Sequence, residues 1–371
     1  MEGGGAHTQS PRAVRAPPPC QSPPTGACPA PGAAWRVYSA SMHASPRPEP
    51  PRTLDAAATA ARLPWTALAD EIAAVLRDGS VLVPARSVLP LPQGGTLFVM
   101  PATDSRVAMT KLITLTPANA GTGRPAIQGD VVVFDVATGE RRLVLDGPTI
   151  TARRTAAASL LAARHLAHEP QGPLLIVGAG VQGVAHLEAF VHGLGVRDVR
   201  VASRSPASAR ALAQHARTLG AKARVVDDAN AEVRHCPLIV TCTPAHSVVL
   251  HTPPLADAFL TAVGAFTPTM AELSPALCQH IAQHGHIVVD TPEARHEAGD
   301  LLQAGIDVGT LPTLRDVLQG PRIQGTGPVL FKSCGWAGWD LAAARLALRG
   351  HADARQAPAA TTADHPGWAT P

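Results

Sequence analysis

The sequence predicts an α/β protein in which a doubly wound parallel sheet is joined to a second, α+β domain. Three observations support this fold class. Strand-like and helix-like segments alternate after residue 169, as they do in parallel sheets. A glycine-rich turn separates the first of these strands from its helix. Before residue 168, short strand-like runs are joined by tight turns, which indicates an antiparallel sheet.

The composition limits the class of protein and its partners. The 371 residues are 46% hydrophobic and 16% charged, which is enough apolar material for a large core. Because we find no apolar run of about 20 residues and no apolar leader after a basic end, we expect a soluble, cytoplasmic protein with no membrane partner. Residues 1–52 hold five arginines and two glutamates, which account for the formal charge of +3. No basic face is indicated, so nucleic acid is not an expected partner.

Cysteines and histidines do not predict a metal centre. The six cysteines and sixteen histidines are dispersed along the chain, without the paired spacing that is typical of zinc ligands. We therefore expect no metal and assign the cysteines to small gaps in the core.

The first half of the chain divides by composition. Residues 1–50 are rich in Pro, Ala, Gly and Ser, and we predict a disordered tail because so few large apolar side chains cannot offset the entropy of ordering. Residues 51–168 are predicted to form the first part of the α+β domain. Its predicted elements are the helix Trp65–Arg77, the strands Val81–Val83, Thr96–Pro101, Arg106–Thr116, Asp130–Val136 and Arg141–Leu145, and the helix Ile150–Ala167.

The second half begins with a predicted linker rich in Pro and Gly at residues 169–173, and residues 169–326 are predicted to form the doubly wound domain. Its predicted elements are the strands Leu174–Val177, Val199–Ala202, Ala223–Val226, Leu238–Cys242, Thr261–Gly264 and His286–Asp290, and the helices Val181–Leu194 and Pro206–Leu219. Residues 327–350 change character again, with a strand at Val329–Ser333 and a helix at Gly338–Arg349, and we predict that they return to the first domain. A second disordered tail is predicted for residues 351–371.

The glycine-rich turn has the context that a dinucleotide-binding turn requires. It follows a buried strand, Leu174–Val177, and opens a helix. Gly178 allows the tight turn, Gly180 lets a pyrophosphate approach the backbone, and Gly183 lets the helix pack on the strand. Val181 and Gln182 lie between the last two glycines and complete this part of the predicted cofactor site, in which helix N–H groups face the phosphates.

The residues that follow Val199–Ala202, the second predicted strand of the doubly wound domain, bear on whether NADH or NADPH is bound. An acid there would bond the ribose 2′-hydroxyl, but this chain has Ser203, Arg204 and Ser205. Arg204 is suited to a 2′-phosphate, with both serines as donors, so we expect NADPH to be preferred and NADH to be possible. The other interpretation is that Arg204 is a solvated charge before a helix. The remaining predicted cofactor-binding residues follow later strands and are Thr243, Pro244, Val263, Gly264 and Ser333.

Three basic residues lie in different elements of the first domain. Arg86 ends a short apolar run, Lys111 lies inside an apolar strand, and Arg154 lies near the start of the long helix. A buried lysine is costly without a partner. Each residue alone is more often a surface charge or a structural ion pair, and the spacing does not show that the three converge.

These residues and the motifs around them resemble the ornithine cyclodeaminase/mu-crystallin family from about Pro84 to Arg349. The likeness is carried by Val-Met-Pro-Ala at 99–102, by Lys111, by Thr-Ala-Arg-Arg-Thr-Ala-Ala at 151–157 and by the glycine turn. The segment Phe331–Asp340 resembles the closing motif of the branch that reduces cyclic ketimines. The resemblance implies a substrate domain built from both chain ends and a homodimer formed through the substrate domains. It also implies that Arg86, Lys111 and Arg154 converge on the carboxylate of a small-molecule substrate.

One departure distinguishes branches of the family. The ornithine-deaminating members have an acid after the fifth strand of the cofactor domain, where this chain has Phe266. A phenyl ring cannot pair with an ammonium group, but it can line a pocket for a flat five- or six-membered ring. Alternatively, Phe266 only packs in the core. In either case the missing acid argues against cyclisation of ornithine.

The resemblance implies NAD(P)H-dependent reduction of Δ1-pyrroline-2-carboxylate to L-proline, of Δ1-piperideine-2-carboxylate to L-pipecolate, or of both. Lys111 is the candidate catalytic residue, which would stabilise charge or relay a proton. Phe266, Arg86 and Arg154 are the other predicted substrate contacts. The alternatives are an ornithine cyclodeaminase, an amino-acid enzyme similar to alanine dehydrogenase, and a non-catalytic, NADPH-dependent binding protein similar to mu-crystallin.

Overall fold

A computed structural model of the chain describes residues 52–119, 122–244, 247–321 and 326–356. The predicted tail at 1–50 and the part of the second tail after residue 356 lie outside these ranges. The strands are β1 Arg52–Leu54, β2 Ser87–Leu91, β3 Gly95–Thr103, β4 Val107–Leu115, β5 Ile127–Asp135, β6 Arg141–Asp146, β7 Leu174–Val177, β8 Asp198–Ala202, β9 Lys222–Val225, β10 Leu238–Thr241, β11 Phe259–Ala262, β12 His286–Val289 and β13 Val329–Lys332. The α-helices are α1 Ala56–Ala61, α2 Trp65–Arg77, α3 Gly147–Leu166, α4 Val181–Leu194, α5 Pro206–Thr218, α6 Ala229–Glu232, α7 Pro275–His284, α8 Gly299–Gln303, α9 Leu314–Gln319 and α10 Ala337–Gln356.

The first sheet has six strands in the order β1-β6-β5-β4-β3-β2. Neighbours from β2 to β6 are antiparallel, and β1 runs parallel to β6. The sequence at residues 137–140, between the predicted strands Asp130–Val136 and Arg141–Leu145, indicates a hairpin turn, and the antiparallel pairing of β5 with β6 confirms it. Asp135 holds this turn, since its carboxylate accepts from the N–H groups of Ala137 and Thr138 at 3.0 Å each. The antiparallel sheet predicted from the tight turns is therefore confirmed.

The prediction of a strand at Val81–Val83 is wrong. Only Leu82 forms a bridge there, with Thr103, and the edge strand is β2, five residues further along. Pro84 follows the short apolar run directly and cannot donate a ladder hydrogen bond. Pro90 lies within β2, which is possible because β2 is at the edge of the sheet.

The second sheet has seven parallel strands in the order β12-β13-β11-β10-β7-β8-β9. The five strands β7, β10, β11, β12 and β13 are buried along most of their length, as expected when helices cover both faces of a parallel sheet. The order reverses at β7, between β10 and β8. This reversal of strand order confirms the predicted doubly wound fold. In such sheets a ligand binds at the carboxyl ends of the strands beside the switch point.

The prediction that the whole of residues 327–350 returns to the first domain is wrong for the strand. β13 pairs with β11 on one side and with β12 on the other. Its first three residues are apolar and can be buried, and the charge of Lys332 is balanced by Asp300, 2.8 Å away. Only α10 returns, and it packs on α2, α3, β3 and β4. The helix also continues to Gln356, past the predicted start of the tail at residue 351.

Helix α3 connects the two sheets. It packs against α2 and α10 on the side of the first sheet and against α4, the helix after the glycine turn. The approach of α4 is close, because a Cβ atom on Gly193 would lie 2.5 Å from Leu160 Cδ2. This contact brings Arg154, near the N-terminal end of α3, towards the dinucleotide-binding edge of the second sheet. Within the described part of the chain, no helix has the length and apolar character needed to cross a membrane.

Candidate active site

The glycine turn between β7 and α4 has the geometry that its sequence predicts. Gly178 has φ +116°, a conformation that side chains disfavour, and a Cβ there would lie 2.7 Å from Cys242 O. A Cβ on Gly183 would lie 2.2 Å from Gly178 O. At Gly180 the same test meets no atom within 4 Å, so the turn leaves open space where a pyrophosphate would approach the backbone.

The residues that follow the turn leave the start of α4 accessible. Val181 is 70% exposed, and the first N–H groups of a helix have no partner within it. Gln182 Nε2 lies 3.5 Å from Thr151 O on α3, and its Oε1 is buried without a hydrogen bond to the described residues. The residues of this turn therefore fit an anionic dinucleotide.

The end of β8 carries no acid. Ser205 caps α5 by accepting from the N–H of Ser208 at 3.2 Å, and Ser203 Oγ accepts from the N–H of Ser205 at 3.3 Å. Arg204 is exposed and has neither a hydrogen bond nor an ion pair with the described part of the chain. Its guanidinium is available to a ligand or to solvent.

Glu272 connects the ends of β10 and β11, and the sequence reasoning missed it. Its Oε1 accepts from the N–H and the hydroxyl of Thr243 at 2.6 and 2.9 Å. Its Oε2 accepts from the N–H of Gly264 at 2.6 Å and from the hydroxyl of Thr241 at 3.0 Å. Burial raises the pKa of Glu272. Two predicted cofactor residues, Thr243 and Gly264, are thus fixed by one buried acid. An acid between Ala271 and Leu273 was the only signal in the sequence.

The other predicted cofactor residues on this edge differ in exposure. Pro244 is exposed, and Val263 is half-buried with its N–H donated to Thr241 O at 3.0 Å. The Ser333 hydroxyl is buried and donates to Asp290 Oδ2 at 2.9 Å. The same oxygen accepts from the N–H groups of Cys334 and Gly335 at 2.7 Å each. Asp290, whose pKa is raised by burial, therefore holds the segment that joins β13 to α10.

Lys111 and Arg154 meet on one carboxylate. Lys111 Nζ lies 2.9 Å from both carboxylate oxygens of Asp340, and Arg154 Nε lies 3.3 Å from Asp340 Oδ1. Asp340 is completely buried and Lys111 is 1% exposed. Asp340 lies in the first turn of α10, where the helix dipole favours a negative charge. Asp340 is the last residue of the closing motif described above, but the sequence did not indicate that it belongs to the site.

The environment of Lys111 changes its acidity. Burial lowers the pKa of Lys111 to about 8, the charge of Asp340 opposes this change, and the charges of Arg154 and Arg86 add to it. A group with such a pKa is mostly protonated at neutral pH and can still release a proton.

Arg86, the third predicted cation, pairs with a different acid, Glu297. Its Nη2 lies 2.5 Å from Glu297 Oε1, and its guanidinium carbon lies 5.9 Å from the centre of the Phe98 ring. Arg86 precedes β2 in the first sheet, whereas Glu297 follows β12 in the second. The pair thus joins the two sheets beside the Lys111 cluster. Sequence reasoning also missed Glu297.

The cationic cluster lies at the carboxyl edge of the second sheet. A Cβ on Gly335 would be 3.0 Å from Arg154 Nη1, and Gly335 is bound to Asp290 at the end of β12. Phe266 follows β11 on the same edge and is half-buried against the core on that side of the sheet. Both interpretations of Phe266, as pocket wall and as packing residue, are compatible with this position.

The sheet order and the glycine turn define a Rossmann-type, dinucleotide-binding protein whose cleft is lined with buried charges. A sequence model of the ornithine cyclodeaminase/mu-crystallin family matches residues 58–352. The chain therefore belongs to the ornithine cyclodeaminase/mu-crystallin family, as its motifs indicate.

Relatives with assigned activities are similar over most of their length. The chain is 38% identical over 302 residues to Delta(1)-pyrroline-2-carboxylate reductase 1 of Burkholderia multivorans, covering 79% of this chain and 94% of that protein. It is 37% identical over 297 residues to the Delta(1)-pyrroline-2-carboxylate/Delta(1)-piperideine-2-carboxylate reductase of Azospirillum brasilense, covering 79% and 94%. The structure of Thermococcus litoralis Delta(1)-pyrroline-2-carboxylate reductase, in complex with NADH and L-proline, superposes with a TM-score of 0.75 at 24% identity, covering 82% and 98% of the two chains. At this identity the last comparison concerns the fold.

Proposed function

We propose that this protein reduces cyclic ketimines that carry a 2-carboxylate, using a nicotinamide dinucleotide. The products are L-proline from Δ1-pyrroline-2-carboxylate and L-pipecolate from Δ1-piperideine-2-carboxylate. One observation carries the proposal: a buried lysine and a buried arginine share Asp340 at the edge of a dinucleotide-binding sheet, in a chain whose relatives are named as reductases of these imines.

The substrate carboxylate is bound by Arg86 and Arg154. Arg154 reaches Asp340 through Nε, and no described residue accepts a hydrogen bond from its two terminal nitrogens. Arg86 is paired with Glu297 through Nη2. Each guanidinium therefore keeps donors for a second carboxylate, and two arginine forks hold a planar acid in one orientation.

Lys111 supports the proton transfer. Reduction adds a hydride to the C=N carbon and a proton to the nitrogen, and the bound nicotinamide supplies the hydride. A protonated nitrogen makes that carbon electrophilic. Lys111 is the cation in the cluster with a pKa of about 8, so it can donate or share a proton with the imine at neutral pH. Asp340 keeps its ammonium group in place.

Two further residues determine the wall of the substrate pocket and the preference for NADPH over NADH. Phe266 takes the place of the acid found in ornithine-deaminating members, and its ring faces a flat substrate ring. Arg204 binds the 2′-phosphate, so NADPH is preferred over NADH. The absence of an acid at the end of β8 and the exposed guanidinium support this preference.

The protein acts as a homodimer through the outer face of the first sheet. Leu112 on β4 is 45% exposed and lies opposite Val99 on β3. Leu89 on β2 is 46% exposed and lies opposite Leu97. Side chains alternate between the two faces of a strand, so these four residues share the face that the helices leave open. A second copy of the chain would cover this apolar surface.

Steady-state kinetics test the proposal. The purified protein is mixed with each imine and with NADPH or NADH, and loss of the reduced nicotinamide is followed by absorbance. We expect turnover of at least one imine without added ammonia, and a loss of kcat of about 100-fold or more in Lys111→Met. Turnover only of open-chain keto acids with ammonia would indicate an amino-acid dehydrogenase, and binding without turnover would indicate a binding protein. Either result would disprove the proposal.

A further inference from the structure

Arg86 and Glu297 form an ion pair across the cleft between the two sheets. Arg86 stands just before β2, an edge strand of the first sheet, and Glu297 stands after β12, an edge strand of the second. The atoms Nη2 and Oε1 are 2.5 Å apart, and the two side chains are 20% and 22% exposed. An ion pair that is largely withdrawn from solvent keeps a defined geometry better than one on the surface.

The backbone that carries Glu297 is tightly held. Its N–H donates to Ala294 O at 3.0 Å, and its carbonyl accepts from the N–H of Gly299 at 2.9 Å. Gly299 is pressed against the loop that follows Phe266, because a Cβ there would lie 2.1 Å from Met270 O. The backbone of Glu297 is therefore fixed in position relative to the loop that follows Phe266.

Arg86 has few other contacts to hold it. Its guanidinium lies beside the Phe98 ring, which restricts one face of the fork, and its one ion-pair partner among the described residues is Glu297. The ion pair with Glu297 is made through Nη2, and the guanidinium has five N–H donors in one plane. The remaining donors can meet a second carboxylate while the pair stays intact, and a fork fixed in advance loses less entropy on binding.

We infer that Glu297 is a positioning residue, which orients the Arg86 fork for the carboxylate of the substrate. The inference deepens the proposed function and rests on its assignment of Arg86 to that carboxylate. The opposite arrangement, in which Glu297 competes with the substrate for Arg86, predicts the opposite sign of the effect on affinity. The two can therefore be separated by measurement.

The test compares Glu297→Gln with the matched control Glu293→Gln. Glu293 is exposed in the same 3-10 helical region, so its variant removes a carboxylate charge of the same kind and keeps the ion pair between Arg86 and Glu297. We expect Glu297→Gln to raise the KM of the cyclic imine about tenfold, with kcat within about twofold and the KM of the nicotinamide unchanged. Glu293→Gln should leave all three constants unchanged. In an Arg86→Ala background, Glu297→Gln should have no further effect.

A lower or unchanged imine KM in Glu297→Gln would overturn the inference, and so would an equal change in Glu293→Gln. A simultaneous loss of kcat and nicotinamide affinity would also overturn it, because it would indicate general damage to the fold.

A binding measurement separates this inference from the proposed function. Pyrrole-2-carboxylate is a planar ring acid that cannot be reduced, and its Kd for the nicotinamide-loaded protein can be measured by calorimetry. We expect Glu297→Gln to weaken this binding about tenfold. If the wild-type protein binds pyrrole-2-carboxylate but reduces no imine, the reductase proposal fails while the Kd ratio still decides the role of Glu297. If the wild-type protein does not bind it, both are wrong.

Discussion

Lys111 Nζ lies 2.9 Å from both carboxylate oxygens of Asp340, although the two residues are 229 positions apart in the chain. Lys111 belongs to β4 and Asp340 to α10. A buried ammonium group without a partner would be costly, so Asp340 both stabilises Lys111 and sets its acidity. Two predictions about catalysis and cofactor binding and two about specificity and assembly follow from the described contacts.

The variant Asp340→Asn should shift the pH dependence of kcat/KM. Lys111 is protonated below its pKa of about 8, so activity that depends on this proton falls as the pH rises through that value. The negative charge of Asp340 raises the pKa of Lys111. Removing the charge therefore lowers that pKa, and the alkaline limb should move to lower pH by about 1–3 pH units. An unchanged alkaline limb would contradict the role of Lys111, and Asp257→Asn, at an exposed loop position, serves as the control.

Two alanine substitutions in the glycine turn should have different effects. In Gly180→Ala the added methyl group meets no protein atom within 4 Å, so the melting temperature should be unchanged while the KM of the nicotinamide rises at least tenfold, because the methyl group occupies the space for the pyrophosphate. In Gly183→Ala the methyl group would lie 2.2 Å from Gly178 O. We therefore expect the free energy of unfolding to fall by about 1–3 kcal/mol, in addition to a rise in the KM of the nicotinamide. Calorimetry and kinetics on both variants check this difference. Unchanged nicotinamide KM in Gly180→Ala would argue against the assigned phosphate position.

The variant Arg204→Ala tests the proposed preference for NADPH and should reduce it. A charge-assisted hydrogen bond to a phosphate contributes about 1.5–3 kcal/mol, so we expect the KM of NADPH to rise about 10- to 100-fold while that of NADH stays unchanged. Arg210→Ala, which removes an exposed charge from the same region of α5, should change neither constant. Equal effects on both nicotinamides would show that Arg204 does not recognise the 2′-phosphate.

The variant Leu112→Glu tests the proposed homodimer and should weaken it. It places a charge at the centre of the open face formed with Val99, Leu97 and Leu89, where a second copy would exclude water. We expect sedimentation velocity at micromolar concentration to show a dimer for the wild-type protein and a monomer for the variant. Val225→Glu adds a charge at an exposed position of β9, on the second sheet, and should remain dimeric. A monomeric wild-type protein would rule out this surface as the interface.

The parts of the fold that depend on local patterns were predictable from the sequence. The helix Trp65–Arg77 and the start of α4 at Val181 agree with the structure to the residue, because amphipathic spacing and a glycine turn are local signals. The strand β13 was assigned to the wrong domain, since a run of four buried residues does not indicate which sheet it joins. That choice depends on partners far away in the chain, β11 and β12.

In the candidate site, too, features that depend on local patterns could be predicted from the sequence, and those that depend on distant partners could not. Lys111 could be singled out because a charged residue in an apolar strand requires a partner, but the partner could not be named, and Arg154 was assigned to the site only through the family resemblance. Asp340, Glu297 and Glu272 are ordinary acids in the sequence, and each gains its role only when folding brings it to a donor. The family resemblance supplied the convergence of the cations, and it did not supply the acids that hold them.

The position of β13 has a consequence for how the protein is completed during synthesis. Among the strands that the structure describes, β13 is the only neighbour of β12, and Asp340 lies eight residues after the end of β13. Until the segment from β13 to Asp340 has been synthesised, β12 lacks its β13 partner and Lys111 lacks the carboxylate of Asp340. One segment, from β13 to Asp340, therefore completes both the parallel sheet and the charge balance of the buried cluster.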